Sequence, residues 1–307
     1  MTDFNITNKD FRIISLNVRG INNQKKRIGI FRRLRKENCD IAFLQETYSN
    51  KESSVQWNDE WGGHSIFAHG GNHSRGVAIL IKNGLDFQII TEKVDYNGRF
   101  IICEVEIKEK IFTLVNIYSP NREKEQILFY TDLRNSLRQM NVTSATNILI
   151  GGDWNVVQDT SIDKCGGTLA VRVNVMNLLH SLFDEFELKD IWRVRNPKKK
   201  RYTWRQKRPS VQCRLDYFVI SVSLFDIVIN TSILPALLSD HSPITMDVKF
   251  IKTIKGNGLW KLNNSLLMDD DYNSLISENI VQWKTDFNYK HAMGNNQVQD
   301  PRVNNLI

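Results

Sequence analysis

Cysteine is sparse in this chain and its spacing is uninformative. Cys39, Cys103, Cys165 and Cys213 lie far apart, with no C-x-x-C pair among them, so neither a disulfide framework nor a zinc knuckle is written into them. No basic segment followed by an apolar one opens the sequence at Met1-Thr2-Asp3-Phe4, which removes the signature of a secretory leader. Both absences favour a reducing, intracellular setting. They also take weight from the N-x-S/T matches at Asn5, Asn72, Asn141, Asn230 and Asn263 as glycan acceptors. No run of about 18 apolar residues exists, so no helix of the sequence is expected to span a membrane.

What the chain does have is enough apolar material for a core and an uneven charge. Its 307 residues are 41% hydrophobic and 24% charged, which suits one large domain or two ordinary ones. The net charge of +7 says more when it is located. Ten cations lie between Lys189 and Arg208 against the single acid Asp190, and eight lie between Arg19 and Lys36 with none. These two stretches therefore carry a net +17, and the remainder is acidic. Trp192, Tyr202 and Trp204 are interleaved with the second stretch, as a polyanion-binding face requires: cations for phosphates, aromatics for bases or sugars. A solvated basic helix and loop is the bland alternative.

Polar groups recur at the ends of apolar runs. Phe11–Val18 reads as a buried strand delivering Asn17, and Asn22 is placed to cap a basic amphipathic helix to about Glu37 with Ile28, Phe31 and Leu34 inward. Ile41–Leu44 leads into Gln45-Glu46, where Glu46 could serve as a salt-bridge partner of that helix or as a catalytic group. Runs at 65–68, 76–82, 87–92, 100–107 and 111–118 have the spacing of an antiparallel sheet, with turns at Asn83-Gly84 and Asn97-Gly98, and end at Tyr118-Ser119-Pro120-Asn121. His64, His69 and His73 are close in sequence but lack a cysteine or acidic partner for zinc.

A helix at 122–140 precedes the apolar run Asn147–Gly152, whose glycines permit a tight turn or the close approach of a ligand before Asp153-Trp154-Asn155. A second helix near 171–183 and the basic loop lead to Thr203 and to the strand 213–220, where Asp216 needs a hydrogen-bonded partner. His241, in Ser239-Asp240-His241-Ser242-Pro243 before the alternating run 245–250, is the natural candidate.

This set suits hydrolysis of a phosphodiester. A hard Mg2+ ion takes one or two carboxylates and keeps its waters, so Glu46 suits it. Asp153 is placed to activate water, and His241, Asn155 and Asn17 can donate to the charge developing on phosphorus. Asp216 would orient His241 and hold its charge.

Taken in order, Leu16-Asn17-Val18-Arg19-Gly20, Gln45-Glu46-Thr47, Asn116–Asn121, Gly152-Asp153-Trp154-Asn155, Arg214-Leu215-Asp216-Tyr217-Phe218 and Ser239-Asp240-His241-Ser242 resemble the endonuclease/exonuclease/phosphatase superfamily. Within it the chain looks most like the apurinic-endonuclease-like domain of LINE-type non-LTR retrotransposons. The likeness runs from about Phe11 to Phe250. It implies a four-layered α/β sandwich, with two mixed β-sheets face to face and helices on both outer faces. It also implies Mg2+-dependent cleavage of double-stranded DNA that leaves a 3′-hydroxyl, with Mn2+ as the other ion such a site accepts.

By this resemblance Glu46 binds metal, Asp153 activates or orients water, Asn155 and His241 contact the phosphate and Asp216 supports His241. Asn17, Tyr118, Asn121 and Asp240 match the remaining metal, phosphate or leaving-group positions, with Asn17 and Asp240 assigned to the metal. Thr203 and Ser239 are secondary contacts, and Arg19, Lys198, Lys199, Lys200, Arg201 and Arg214 are expected on DNA phosphates.

Two departures bear on the branch. Cellular apurinic endonucleases carry an Asp where this chain has Arg19, and an aromatic where it has Cys213. Both weaken the reading as a repair enzyme of the apurinic-endonuclease or exonuclease III type, and they favour a nicking enzyme that primes reverse transcription. An inositol-lipid phosphatase or sphingomyelinase shares the catalytic set but not the concentrated positive charge. A non-catalytic DNA-binding remnant would have no need to retain Glu46, Asp153, Asp216 and His241.

The stretch 251–307 is expected to be a connector towards a missing reverse transcriptase. Its Asp271–Lys284 segment forms a helix striped by Tyr272, Ile276, Ile280 and Trp283 before a loose Asn-rich end. A monomer acting in the nucleus is the expected form, and Pro197-Lys198-Lys199-Lys200-Arg201 reads either as an import signal or as a DNA-contacting loop.

Overall fold

The computed structural model describes residues 11–71, 73–167, 172–249 and 269–292. The chain divides into two compact units, Met1–Lys252 and Thr253–Ile307. In the first, the leading half runs β1 (Phe11–Asn17), α1 (Gln24–Lys36), β2 (Ile41–Gln45), α2 (Lys51–Trp61), β3 (His64–Ala68), β4 (Val77–Ile81), β5 (Phe87–Val94), β6 (Phe100–Ile107) and β7 (Lys110–Tyr118). It continues through α3 (Glu123–Gln139), β8 (Ile148–Asp153), β9 (Lys164–Cys165), α4 (Val173–Glu185), β10 (Leu188–Asp190) and the short α5 (Ile191–Arg195). The strands β11 (Trp204–Gln206), β12 (Val211–Cys213), β13 (Asp216–Ser221), β14 (Val228–Ile233) and β15 (Ile244–Val248) complete it. The second unit's described element is α6 (Asp270–Ala292).

Two mixed six-stranded sheets result, in the orders β14-β15-β1-β2-β4-β3 and β10-β13-β8-β7-β6-β5. Because side chains alternate along a strand, each central strand feeds two cores. Ile13, Phe43, Ile79, Cys103, Leu114 and Phe218 pack between the sheets. Ile14, Leu44 and Leu80 pack outward against Phe31 and Leu34 of α1 and Trp57 and Trp61 of α2. Ile102, Val115, Ile150 and Tyr217 pack outward against α3 and α4. The four-layered sandwich follows from strands that are apolar on both faces. The Gly151-Gly152 pair serves this packing rather than a ligand. A Cβ on Gly151 would lie 2.4 Å from the Phe218 ring, and one on Gly152, at φ +146°, would lie 2.0 Å from the Ile117 carbonyl.

Several local expectations change. The cap of α1 is Asn23, which accepts from the Lys26 amide, and its buried face is Arg27, Ile30, Phe31 and Leu34, with Ile28 only half-buried. Helix α2 is an addition to the elements expected from the sequence, although it carries an Asn50/Ser53 capping box and a left-handed Gly62 at its end. Strand β14 and the small β11-β12-β9 sheet are additions as well. Residues 171 and 250–268, including the connector, lie outside the described residues. On α6, Tyr272 and Ile276 are half-buried and Ile280 is exposed.

Candidate active site

The parallel pairs β1-β2 and β7-β8 end at one edge of the two sheets, where β1 delivers Asn17, β2 leads to Glu46, β7 ends at Tyr118 and β8 at Asp153. Asn17 is fully buried and joins the sheets, its Nδ2 donating to Glu46 Oε1 and to Asp153 Oδ2, both at 2.9 Å. Glu46 sits in the left-handed region at φ +52°, which turns its carboxylate back over the strand ends. Its second oxygen accepts from the Tyr48 hydroxyl at 3.0 Å. Tyr48 escapes a reading of the sequence, since a tyrosine in a polar loop carries no distinguishing pattern.

Asp216 opens β13 opposite Asp153 in the antiparallel register. Its Oδ2 lies 2.8 Å from His241 Nδ1, and His241 Nε2 points at Asp153 Oδ2, 3.9 Å away. Among the described residues Asp153, Asp216 and His241 form the one acidic and histidine cluster with metal-ligand proximity. The 2.8 Å contact is a hydrogen bond that occupies Nδ1, so the trio is read as a charged pair facing a carboxylate.

Burial alone would lower the His241 pKa, but Asp216, Asp153 and Asp240 raise it to about 10. Burial and the charge of Asp216 push the Asp153 carboxyl up, against the opposing pull of His241, Asn17 and the Asn155 amide. The Tyr118 hydroxyl is pushed up by burial and by Glu46 beside it. At neutral pH the site therefore presents a cationic imidazole and a protonated phenol beside Asp153, whose proton affinity is raised.

Asn155, at φ +49°, has its amide on Asp153 Oδ1 (3.0 Å) and its Nδ2 on the Ser119 carbonyl (2.7 Å). Asn121 is exposed on the β7–α3 connection. Ser239 Oγ donates to the Asn17 carbonyl at 2.7 Å and accepts from the His241 amide at 3.2 Å, tying the Asp-His turn to β1. Asp240 Oδ2 accepts from Arg19 Nη1 at 3.1 Å and Trp204 Nε1 at 3.3 Å.

Two residues expected on DNA are elsewhere. Arg214 is 1% exposed: it donates to both oxygens of Asp163 (2.6 and 2.8 Å) and to Asp190 (2.6 Å), and lies over the Trp192 and Tyr217 rings. Thr203 is fully buried, and its Oγ1 accepts from the Leu215 and Asp216 amides, both at 3.0 Å. Its hydroxyl aims the Asp216 strand.

The basic stretches divide in the same way. Arg27 is buried on Glu60, Arg193 is tied to Asp163, and Trp192 is core. Lys198, Lys199 and Lys200 are exposed, and Arg201 is half-buried with Nη2 3.3 Å from the Ile233 carbonyl. His64 lies tilted against Phe87, while His69 stacks on Phe67 and bonds Ser49 at 3.1 Å. These two histidines thus have separate structural partners.

The endonuclease/exonuclease/phosphatase family pattern matches residues 14–241. The chain belongs to this family. It is 27% identical over 277 residues to a Xenopus laevis protein described as "Transposon TX1 uncharacterized 149 kDa protein", a match covering 89% of this chain and 21% of that one. It is 31% identical over 273 residues to the DNA-(apurinic or apyrimidinic site) endonuclease of Dictyostelium discoideum, covering 78% of this chain and 71% of the relative. The chain thus spans about a fifth of the length of the transposon protein.

Among solved structures, the AP endonuclease LMAP of Leishmania major superposes with a TM-score of 0.66 at 19% identity, covering 79% of this chain and 88% of that one. The catalytic domain of Xenopus laevis APE2 gives 0.64 at 20% identity, with 78% and 93% covered. These likenesses show the family sandwich. As a family member the chain is a hydrolase of phosphoester bonds.

The donor set fits a hard divalent cation at Glu46. Its carboxylate is half-buried and bears neutral donors, Asn17, Tyr48 and Tyr118, which leaves its negative charge for an ion. Asp216 Oδ1 and Asp240 Oδ1 are buried without hydrogen-bond partners. Asp240 fits less well than Glu46, because its other oxygen already holds the Arg19 cation.

Proposed function

We propose that this chain is a Mg2+-dependent DNA endonuclease that nicks intact duplex and leaves a 3′-hydroxyl to prime reverse transcription during retrotransposition. The observation that carries the reading is the buried Asp216–His241 pair aimed at Asp153, with Asn17 linking Asp153 to Glu46. Glu46, with Asn17 and Asp240 near it, would hold the Mg2+, which supplies charge neutralisation at the scissile phosphate; Mn2+ would serve in the same hard site.

Asp153 accepts a proton from the attacking water, and its raised proton affinity suits that task. Water oxygen bonds to phosphorus as the bond from phosphorus to the 3′ oxygen breaks, and that oxygen takes a proton to become the 3′-hydroxyl. Cationic His241 and Asn155 hold the charge gathering on the non-bridging oxygens. The Tyr118 phenol, protonated at neutral pH, supplies a further donor. Exposed Lys198, Lys199 and Lys200, together with Arg19, Arg201, Asn121 and Ser239 around the site, engage neighbouring phosphates.

The retroelement setting is supported by the match to the transposon protein over 89% of this chain. It is supported too by Arg19, whose guanidinium stands in the site on Asp240. In that setting the enzyme works as a monomer in the nucleus. The alternative, an abasic-site repair endonuclease, is favoured by the match to the Dictyostelium discoideum apurinic endonuclease.

One assay separates them: supercoiled plasmid and a duplex oligonucleotide with one abasic site, each in Mg2+ and in EDTA, with Glu46→Ala/Asp153→Ala as control. Metal-dependent nicking of intact plasmid without abasic preference is expected. Rapid cutting confined to the abasic site would replace the proposal with the repair activity.

A further inference from the structure

The turn between β5 and β6 carries a feature that this chemistry leaves unused. It is closely tied: the Gly98 amide donates to the Asp95 carbonyl at 3.1 Å, and Asp95 Oδ2 accepts from the Arg99 amide at 2.8 Å. It is also seated beside the site. The Gly98 carbonyl accepts from the Gly76 amide (3.0 Å) and the Arg99 carbonyl from the Tyr118 amide (2.7 Å). The Arg75 and Gly76 carbonyls in turn accept from the Tyr48 and Thr47 amides (3.0 and 2.9 Å), next to Glu46.

From this rigid base Tyr96 projects its whole ring, 101% exposed. Among the described residues it is the one exposed Phe, Tyr or Trp side chain. A solvated ring on a tied turn contributes nothing to packing, so its worth lies in what it meets. Its surroundings are cationic. The Arg99 guanidinium lies 4.8 Å over the Tyr118 ring; burial first, and then the charge of Arg75, work against its cationic form. Arg75 is exposed, and Arg122, also exposed, has a loose 3.7 Å contact with Glu125 as its ion pair. A guanidinium whose charge is opposed by burial and by a second cation gains from an anion beside it.

Resting on the endonuclease reading, we propose that Arg75, Tyr96 and Arg99 form a rim that takes an unpaired nucleotide beside the scissile phosphate. Tyr96 stacks on the base, and the two arginines hold its phosphate. A base offers its face to such a ring only where a neighbour is missing, as at a gap, nick or melted step, since in intact duplex both faces are covered by stacking. The enzyme then favours DNA already opened next to the cut.

The test compares a fully paired duplex with the same duplex carrying a short unpaired patch that contains 2-aminopurine. Binding is read by anisotropy and stacking by 2-aminopurine quenching, in the full chain with Asp153→Asn to block cleavage. The opened duplex is expected to bind about 10-fold more tightly, with quenching. Tyr96→Ala is expected to abolish both effects while leaving paired-duplex affinity unchanged, and Tyr96→Phe to retain both. An unchanged preference in Tyr96→Ala overturns the proposal. So does an equal weakening on both DNAs, which would make Tyr96 a groove contact. If neither DNA binds any variant, the endonuclease reading itself has failed, a result distinct from the disappearance of the preference alone.

Discussion

At the scale of single residues, the charge on His241 is the most consequential assignment. Burial works against it, and Asp216, followed by Asp153 and Asp240, overcomes burial and lifts the pKa to about 10. A group raised in the folded state contributes stability that is complete below its unfolded pKa, about 6.5 for His. That contribution disappears as pH rises through about 10. In metal-free Asp216→Asn, burial should prevail and the imidazole should titrate below about 6.5, read by ring-nitrogen NMR; an unmoved titration would remove Asp216 as the cause. Tyr48 makes a second residue-scale case. Tyr48→Phe deletes a hydroxyl that orients Glu46 and is expected to weaken Mg2+ binding about 10-fold, read by calorimetry; unchanged affinity would show that Asn17 and Tyr118 orient Glu46 without it. Glu46, Asp153, Asp216 and His241 are legible in the sequence because acids and His at strand ends stand out. Tyr48 is not, because its role comes from a left-handed backbone at φ +59°.

At the scale of elements, buried charge holds the corner from which Asp216 emerges. Arg214 locks the loop of Asp163 to β10 through Asp190, and Thr203 caps the first amides of that corner. Arg214→Met would leave Asp190 buried without its cation and Asp163 with Arg193 alone. It is expected to cost about 3–5 kcal/mol in urea unfolding, and a cost below about 1 kcal/mol would mean that those acids find water instead. Read from sequence, Arg214 looks like a DNA-binding residue, because its partners stand 51 and 24 positions away. Strands with strong apolar runs are legible. Helix α2 is harder to see because its stripe is thin, with Trp57 and Trp61 its buried residues; its end signals, Asn50 and Gly62, are the better guide.

At the scale of the whole molecule, the net positive charge is less available than its count suggests. Arg27, Arg193 and Arg214 are consumed by Glu60, Asp163 and Asp190, whereas Lys198, Lys199 and Lys200 remain exposed. Replacing these three lysines with alanine should lower the slope of log affinity against log salt by about 0.9 for each phosphate left unneutralised, while Arg27→Ala should leave it unchanged. An unaltered slope in the lysine variant would place the DNA elsewhere. The sequence by itself determined the layering, since strands apolar on both faces must be covered on both sides, and it determined the order of polar groups delivered at strand ends. Only the tertiary structure decided which cations face solvent, which acids share a proton environment and which loop residue steadies Glu46. Those outcomes depend on partners brought together from distant parts of the chain, and local pattern carries no record of them.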